Sequence, residues 1–384
     1  MPHAYNIADL QAAARRRLPG VVWRYIEGGA EDELTLRANR AAFDAICFTP
    51  RTLIDVSRRS QKTTALGIAF DCPFGVSPMA PLGICRYQAD IAVARAARAA
   101  NVPFILSTHA FVPLQRVASE AGGAPWFQIY LHADRARAEA ELERARRAGC
   151  EVLVLTTDVP VGGNREYNER NGFGVPLRLG PRTLVEGLLH PRWLVDVYLR
   201  SICGRRRGVA RTRRDVHGWH DFAWLRGAWP GKLVVKGILT VEDARLAAQH
   251  GADGIVVSNH GGRQLDGAPA PIEVLPRIAA AVGGRMAIFL DGGVRRGADI
   301  VKALALGADM AFVGRAAAYG VAADGEAGAR RALQILKSEV DRVLALLGCT
   351  SLDDLGPHCV GRERDALEPR PAGTKPTLVR LAER

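Results

Sequence analysis

The strongest candidate for chemistry in this sequence is a histidine that stands among glycines and beside an arginine. His260 lies in the segment Ser258–Arg263 (SNHGGR), and its imidazole titrates near neutral pH, which suits a general base. Asp158, which ends another apolar run, is placed to orient this ring and to stabilise its protonated form. A buried histidine with a purely structural role is the alternative. No metal site is predicted, because no second His or carboxylate lies at ligand spacing from His260.

A second group of residues is suited to binding an anion. Gly292 and Gly293 follow a later apolar run and allow backbone N–H groups to approach a phosphate closely. Arg295 and Arg315 carry guanidinium groups that can bind the phosphate oxygens in a forked geometry. A plain glycine turn with surface arginines is the alternative explanation of this segment.

The fold that must position these residues is predicted by a repeat of short apolar runs, each followed by a stretch of helical spacing. Parallel strands that are apolar on both faces and alternate with helices are typical of an α/β protein built as a (β/α)8 barrel, or TIM barrel, of about 250 residues. Residues 73–320 match that span. An open doubly wound sheet is the alternative, but no G-x-G-x-x-G motif follows any run. The runs are Pro73–Ser77, Phe104–Ser107, Trp126–Tyr130, Val152–Thr157, Leu233–Lys236, Gly254–Ser258, Ala287–Asp291 and Met310–Gly314.

The helical stretches between the runs often end in glycine. Gly149, Gly251 and Gly307 are predicted helix C-caps. The clearest stretches are Ile91–Ala100, Arg135–Ala148, Val241–His250, Pro271–Ala281 and Ala298–Leu306.

Polar side chains gather where the apolar runs end. In a barrel of this kind, catalytic residues lie at the carboxyl ends of the strands. Besides the residues above, those ends carry Gln128, Tyr130, Thr156, Lys236 and Gly314. Each could be structural by itself, but together they are hard to explain by packing. The sequence therefore predicts an active site at this end of the barrel.

The remaining segments flank or interrupt the barrel. Residues 6–45 predict two or three helices, Ala327–Leu347 predicts a closing helix, and residues 360–384 predict an extended tail. Residues 172–230, between the fourth and fifth runs, are too long for an ordinary connection of this fold. Such a long loop predicts a lid or a binding segment.

The long loop contains an apolar patch followed by a cluster of six arginines between Arg205 and Arg214. A basic amphipathic segment can lie in the interface of a membrane. A solvated lid over the active site is the alternative, and the sequence leaves both open. The patch consists of Trp193, Leu194, Val197, Tyr198 and Leu199.

Composition excludes several classes of protein. The net charge is +12, from 52 Lys and Arg against 40 Asp and Glu, but no nucleic-acid-binding motif accompanies it, so no nucleic acid partner is expected. No uncharged apolar run reaches the roughly 18 residues of a spanning helix. Seven scattered cysteines without a C-x-x-C pair indicate a reducing compartment. The sequence predicts a cytoplasmic protein and leaves open a peripheral contact with the inner face of the membrane.

Five motifs resemble the FMN-dependent L-2-hydroxy acid dehydrogenase/oxidase family, which includes glycolate oxidases, lactate dehydrogenases and oxidases, and mandelate dehydrogenases. The motifs are Ser258–Asp266 (SNHGGRQLD), Asp291–Gly297 (DGGVRRG), Lys302–Gly307 (KALALG), Leu155–Asp158 (LTTD) and Tyr25–Glu31 (YIEGGAE). The resemblance implies a flavoprotein that oxidises an L-2-hydroxy acid to the 2-oxo acid, with FMN as cofactor.

The resemblance also implies a role for each matching residue. His260 is similar to the catalytic base of the family, and Asp158 to the carboxylate paired with it. Lys236 is similar to the cation beside the N1–C2=O edge of the flavin, where reduction places negative charge. Positions similar to FMN contacts are Pro78, Met79, Ala80, Ser107, Gln128, Thr156, Lys236, Ser258, Asp291, Gly292, Gly293, Val294, Arg295, Gly314 and Arg315.

Four further residues are similar to groups that bind the substrate together with His260. Arg165 and Arg263 correspond to the two guanidinium groups that hold the substrate carboxylate, a task suited to forked donors. Tyr25 and Tyr130 correspond to phenols that hydrogen-bond the substrate. Both tyrosines therefore count among the predicted catalytic residues.

Within the family, the sequence is most similar to the (S)-mandelate dehydrogenases, for example in Glu27–Glu31 (EGGAE), Asp55–Ser60 (DVSRRS) and His190–Trp193 (HPRW). This similarity favours a mandelate-like aromatic substrate. L-lactate or glycolate as the substrate, and a non-catalytic FMN-binding protein associated with the membrane, are the alternatives. Two departures stand out: His109 replaces a residue that is usually small, and Ala80 stands where the mandelate enzymes tend to have Gly.

The resemblance divides the chain into an N-terminal helical extension (1–72), an FMN-binding barrel (73–350) and a C-terminal tail (351–384). Residues 172–230 are inserted in the barrel as a lid or a membrane-facing segment. A homo-oligomer, a tetramer by resemblance, is expected. The electron acceptor is either O2 or a membrane quinone.

Overall fold

The computed structural model describes residues 4–131, 134–172, 181–200 and 218–362, and its centre is a sheet of eight parallel strands. Seven neighbouring pairs are joined by ladders, and a parallel bridge from Val76 to Phe104 joins the first strand to the second and closes the barrel. The (β/α)8 fold predicted from the sequence is confirmed. Seven of the eight predicted runs contain a strand, and the fifth run, Leu233–Lys236, lies within a longer one. The strands are β1 (Phe74–Val76), β2 (Ile105–Ser107), β3 (Trp126–Ile129), β4 (Val152–Thr156), β5 (Lys232–Ile238), β6 (Gly254–Val257), β7 (Ala287–Leu290) and β8 (Met310–Val313).

Helices follow the strands and surround the barrel. The five helical stretches predicted above agree with the structure to within two residues at each end. Gly149, Gly251 and Gly307 have φ values of 78°, 82° and 104°, as expected for glycines that end helices. The surrounding helices are Ala89–Ala99, Leu114–Ala121, Arg135–Arg147, Trp219–Ala228, Val241–Gln249, Pro271–Val282, Gly297–Ala305 and Arg315–Leu347, with a short helix at Glu166–Arg170 after β4.

The interior of the barrel is filled by large side chains, so it cannot hold a ligand along its whole length. Trp126 lies 5.9 Å from Phe289 and 5.8 Å from Phe312, measured between ring centroids. A hairpin of Thr63–Ala65 and Ile68–Phe70 packs against this cluster near the start of β3 and covers the amino end of the barrel. A binding site is therefore confined to the carboxyl ends of the strands.

The N-terminal segment contains three helices, as predicted: Ile7–Arg17, Gly20–Glu27 and Leu34–Asp44. The helix Arg315–Leu347 is interrupted at Asp324 and Gly325, and its second part matches the predicted closing helix. Ile46–Phe48 pairs with Val360–Arg362, so the first residues of the predicted tail form a strand. The rest of that tail lies outside the described residues. Short 3-10 helices are present at Leu82–Ile84, Leu352–Asp354 and Pro357–Cys359.

The long segment between β4 and β5 corrects one prediction. It contains the helices Pro181–Leu189 and Pro191–Trp193 and a π-helix at Leu194–Leu199, while the arginines between Arg205 and Arg214 lie outside the described residues. The five predicted apolar residues do not form one exposed patch, because Trp193 and Val197 are buried. The Trp193 Nε1–H donates a hydrogen bond of 2.7 Å to the Ile84 carbonyl. The exposed apolar side chains here are Val185, Leu188, Leu189, Val195 and Leu199.

Candidate active site

A cavity of about 1000 Å³ opens at the carboxyl ends of the barrel strands and brings nearly all the predicted site residues together. Two predicted residues, Asp158 and Ser258, do not line it but lie directly behind residues that do. The predicted residues on its wall are Tyr25, Pro78, Met79, Ala80, Ser107, Gln128, Tyr130, Thr156, Arg165, Lys236, His260, Arg263, Asp291, Gly292, Gly293, Val294, Arg295, Gly314 and Arg315.

His260 and Asp158 form a hydrogen-bonded pair, with 3.0 Å between Nδ1 and Oδ1. His260 has a φ of 57°, an uncommon left-handed conformation that turns the chain sharply after β6. Gly237, in a bulge of β5 with a φ of 113°, leaves space for the partner, because a Cβ there would lie 2.8 Å from the Asp158 Cβ. Sequence analysis missed Gly237, although a glycine inside a strand signals a bulge.

The ionisation of this pair suits a base. Burial lowers the pKa of His260 below its usual value, and the Asp158 charge offsets this only in part. Burial alone would raise the pKa of Asp158, but the charges of His260 and Lys236 outweigh it and lower the pKa. Asp158 is therefore ionised and His260 neutral near pH 7. With Nδ1–H donating to Asp158, Nε2 is the basic nitrogen.

Lys236 is fully buried and contacts two partners. Its Nζ lies 3.2 Å from Asp291 Oδ2 and donates to Ser258 Oγ at 2.6 Å. The Ser77 hydroxyl donates to the same Asp291 oxygen at 3.0 Å. Burial lowers the pKa of Lys236, but the charges of Asp291 and Asp158 outweigh it and raise the pKa, so the amine stays charged. Sequence analysis missed Ser77, whose only signal was its place at the end of a predicted strand.

Arg263 and Arg315, both on the cavity wall, bind carbonyls at the C-terminal end of the helix Gly20–Glu27. The last carbonyls of a helix have no partner within the helix. Arg263 Nη1 donates to the carbonyls of Tyr25 and Gly28 at 2.8 and 2.9 Å. Its guanidinium carbon lies 4.9 Å from the centroid of the Tyr25 ring. The Tyr25 hydroxyl donates to the Ala80 carbonyl at 2.7 Å. These contacts fix the position of Tyr25 at the cavity.

Arg315, predicted to bind a phosphate, makes most of its hydrogen bonds within the protein. It donates to the carbonyls of Ile26, Gly261, Glu27 and Gly28, which uses four of the five N–H groups of a guanidinium. Burial lowers its pKa to about 10 and that of Arg263 to about 9, so both remain charged near neutral pH. Arg315 therefore adds positive charge to the cavity and joins the N-terminal segment to the barrel.

Positive charge dominates the cavity wall, where five cationic side chains face two carboxylates among the described residues. Such an excess favours a site for more than one anionic group. The cations are Arg165, Lys236, Arg263, Arg295 and Arg315, and the carboxylates are Glu169 and Asp291.

The comparison with known families agrees with this geometry. Residues 14–362 match the family described as FMN-dependent dehydrogenase. The chain belongs to this family. The predicted family and the FMN cofactor are thereby confirmed, and the protein is an FMN-dependent enzyme.

Individual members of the FMN-dependent dehydrogenase family are similar over nearly their whole length. The chain is 39% identical to (S)-mandelate dehydrogenase of Pseudomonas putida over 373 residues, which covers 94% of each chain. It is 42% identical to glycolate oxidase 5 of Oryza sativa subsp. japonica over 367 residues, with 96% and 98% coverage. A crystal structure of (S)-mandelate dehydrogenase, described as a monotopic membrane protein, superposes with a TM-score of 0.88 at 38% identity and covers 94% of this chain and 100% of its own.

The wall of the cavity fits FMN. The hydroxyl of Thr156 and Oδ1 of Asp291 are buried without a hydrogen-bond partner among the described residues, so polar groups of a ligand can satisfy them. Lys236 supplies the buried cation that a flavin edge requires, and Arg295 beside Gly292 supplies donors for a phosphate. The individual FMN contacts predicted from the sequence remain predictions.

His109, which the sequence analysis singled out as a departure from the family, forms part of the cavity wall. Its imidazole stacks on the Tyr130 ring, with centroids 5.1 Å apart and an interplanar angle of 26°. Both side chains line the cavity. The stack reduces the space next to Tyr130 and adds a polar aromatic surface there.

Proposed function

We propose that this FMN-dependent dehydrogenase oxidises an aromatic L-2-hydroxy acid of the mandelate type to the 2-oxo acid. The observation that supports this proposal is the His260–Asp158 pair beside a cavity that also presents Arg165, Arg263 and the buried Lys236. A base, a carboxylate site and a buried cation are the groups that this oxidation needs.

The two arginines hold the substrate and His260 receives its proton. Arg165 and Arg263 bind the carboxylate, which turns the 2-carbon of the acid toward His260. Nε2 of His260 takes the proton that leaves the substrate, and ionised Asp158 stabilises the resulting imidazolium. When bound, FMN would accept the two electrons that leave the 2-carbon together with the second hydrogen that the substrate loses. Lys236 provides positive charge where reduction adds negative charge.

An aromatic acid is favoured over lactate or glycolate, which remain the alternative substrates. The mandelate-like motifs support this, as does the similarity to (S)-mandelate dehydrogenase. Burying a phenyl ring is worth about 1.5–3 kcal/mol, so kcat/KM for (S)-mandelate is expected to exceed that for L-lactate at least about tenfold.

Anaerobic mixing of the purified yellow holoenzyme with each acid, followed by flavin absorbance, tests both levels of the proposal. Bleaching by (S)-mandelate and slower bleaching by L-lactate and glycolate is the expected result. Equal or faster bleaching by L-lactate would reject the aromatic substrate. If no 2-hydroxy acid bleached the flavin, the oxidation itself would be rejected in favour of a non-catalytic FMN-binding protein.

We further propose that the enzyme contacts a membrane peripherally through residues 181–200. The exposed side chains Leu188, Leu189 and Val195 lie in one short segment with the exposed cations Arg192 and Arg200. Apolar side chains beside cations suit the interface of an anionic bilayer. No helix of the described residues is long and apolar enough to cross a membrane. Such contact suits a membrane quinone as the electron acceptor, and O2 is the other candidate. The expected assembly is still a homotetramer.

Sedimentation with anionic lipid vesicles tests the membrane contact. Wild-type enzyme is expected to sediment at low salt and less at high salt, because salt screens the attraction. The double variant Leu188→Ser/Leu189→Ser is expected to bind at least about tenfold more weakly, since each leucine contributes apolar burial. Leu346→Ser, an equally exposed leucine on the closing helix, is the control. Wild type that stays in the supernatant at low salt would reject the contact and favour the lid.

A further inference from the structure

Gln264 lies on one of the two loops that carry the predicted catalytic residues and uses its whole amide to bind the other. Its Nε2 donates to the carbonyls of Asp158 and Val161, both at 3.0 Å. Its Oε1 accepts from Arg165 Nη2 at 2.9 Å and from the Gly163 N–H at 3.3 Å. An amide side chain has two N–H donors and one oxygen with two lone pairs, so every hydrogen-bonding position is occupied.

The strands of the barrel do not place these two loops against each other. The loop 158–165 follows β4, and the loop 260–264 follows β6, with β5 between them in the sheet. The loops nevertheless touch backbone to backbone, because a Cβ at Gly163 would lie 2.4 Å from the Arg263 carbonyl oxygen. Arg165 Nε adds a hydrogen bond of 3.0 Å to the same carbonyl. Among the described residues, the hydrogen bonds that run directly between the two loops all involve a side chain.

Each loop carries one member of both functional pairs. Asp158 and Arg165 lie on the loop after β4, and His260 and Arg263 lie on the loop after β6. The base pair and the carboxylate clamp are thus both divided between the same two loops. A shift of one loop would misplace both pairs at once.

We propose that Gln264 is a positioning residue that sets the two loops in register, so that one amide aligns the His260–Asp158 pair and the Arg165–Arg263 clamp. This inference rests on the proposed function of both pairs. A misplacement of about 1 Å at a reacting centre can cost on the order of 10²-fold in rate. The SNHGGRQLD motif contains Gln264, but its sequence shows no reason for the amide.

Gln264→Met is the main test, because methionine keeps the length of the side chain and removes all four hydrogen bonds. Binding to the oxidised holoenzyme is measured through the flavin spectrum with phenylacetate, which cannot be oxidised because it lacks the hydroxyl group, and with neutral phenylacetamide. The dissociation constant for phenylacetate is expected to rise at least about tenfold, because Arg165 loses its fixed position. That for phenylacetamide is expected to change less than about twofold, because it has no carboxylate.

The pH dependence of kcat/KM with (S)-mandelate is the second readout. The Asp158 charge raises the pKa of His260, so a displaced Asp158 is expected to move the acid limb to lower pH while kcat falls. Leu265→Ala, at the residue next to Gln264 with a side chain 72% exposed, is the control and is expected to match wild type in both readouts.

If both ligands bound equally more weakly and FMN was lost, Gln264 would have a merely structural role. An unchanged preference for phenylacetate over phenylacetamide would also overturn the proposal. If Gln264→Met does not fold, Gln264→Leu also removes the amide and adds no charge, and the same shift of the acid limb is expected. If no 2-hydroxy acid reduced the flavin of the wild-type enzyme, the proposed function would be rejected. The binding of phenylacetate and phenylacetamide would still test the register of the loops.

Discussion

His260→Ala is expected to lower the rate of flavin reduction by (S)-mandelate by more than about 10²-fold, while the variant still binds FMN. The imidazole is the base that Asp158 orients, and alanine leaves no group there to accept the proton. Stopped-flow absorbance under anaerobic conditions gives the rate, and the yellow colour after gel filtration shows that FMN is retained.

A second histidine of the cavity serves as the comparison. His109 stacks on Tyr130 and does not form the pair with Asp158. His109→Ala is therefore expected to change the preference among substrates and to keep most of the rate with the preferred one. Undiminished flavin reduction in His260→Ala, or a larger loss in His109→Ala, would remove His260 from its role as the base.

The pH profile gives an independent check on the same pair. Burial lowers the pKa of His260, so kcat/KM is expected to fall only as the pH drops through that lowered value and the base becomes protonated. Asp158→Asn removes a charge that raises this pKa, so the acid limb is expected to move to still lower pH. Its maximal rate is expected to fall as well, because the imidazolium loses its stabilising partner.

The fold could be predicted because the apolar pattern of each strand and helix lies within a short stretch of the sequence. Each strand of the barrel is buried on both faces and therefore appears as a short apolar run, and each following helix has its own spacing. The site could be placed for the same reason, since the carboxyl ends of parallel strands meet at one rim. His260, Lys236 and Thr156 could be assigned to one cavity without knowledge of any contact.

What could not be predicted depends on contacts between residues distant in the sequence. Nothing near Arg315 indicates that its donors bind carbonyls almost 290 residues earlier, at Ile26. The partners of the Gln264 amide, Asp158 and Arg165 among them, likewise lie about 100 residues away. In the segment 181–200, apolar spacing alone could not tell which side faces the protein, and burial of Trp193 by Ile84 decides it.

The second large effect is expected at the carboxylate clamp. Arg165→Met is expected to lower kcat/KM for (S)-mandelate by about 10²–10³-fold, the loss that follows when a buried carboxylate keeps only one of its two partners. KM is expected to rise and kcat to fall together, because the same guanidinium also turns the 2-carbon toward His260. Arg170→Met, an exposed arginine of the following helix paired only with Glu166 among the described residues, is the matched control and is expected to resemble wild type.

The methyl ester of mandelate separates charge recognition from general damage to the site. It has no carboxylate, so wild type is expected to oxidise it poorly, and Arg165→Met is expected to lower that slow rate little further. A variant that lost both reactions in proportion would indicate that Arg165 acts by supporting the loops through Arg263 and Gln264. Wild type that oxidised the ester as fast as the acid would reject the clamp, because the two guanidinium groups would then contribute nothing to the preference for an acid.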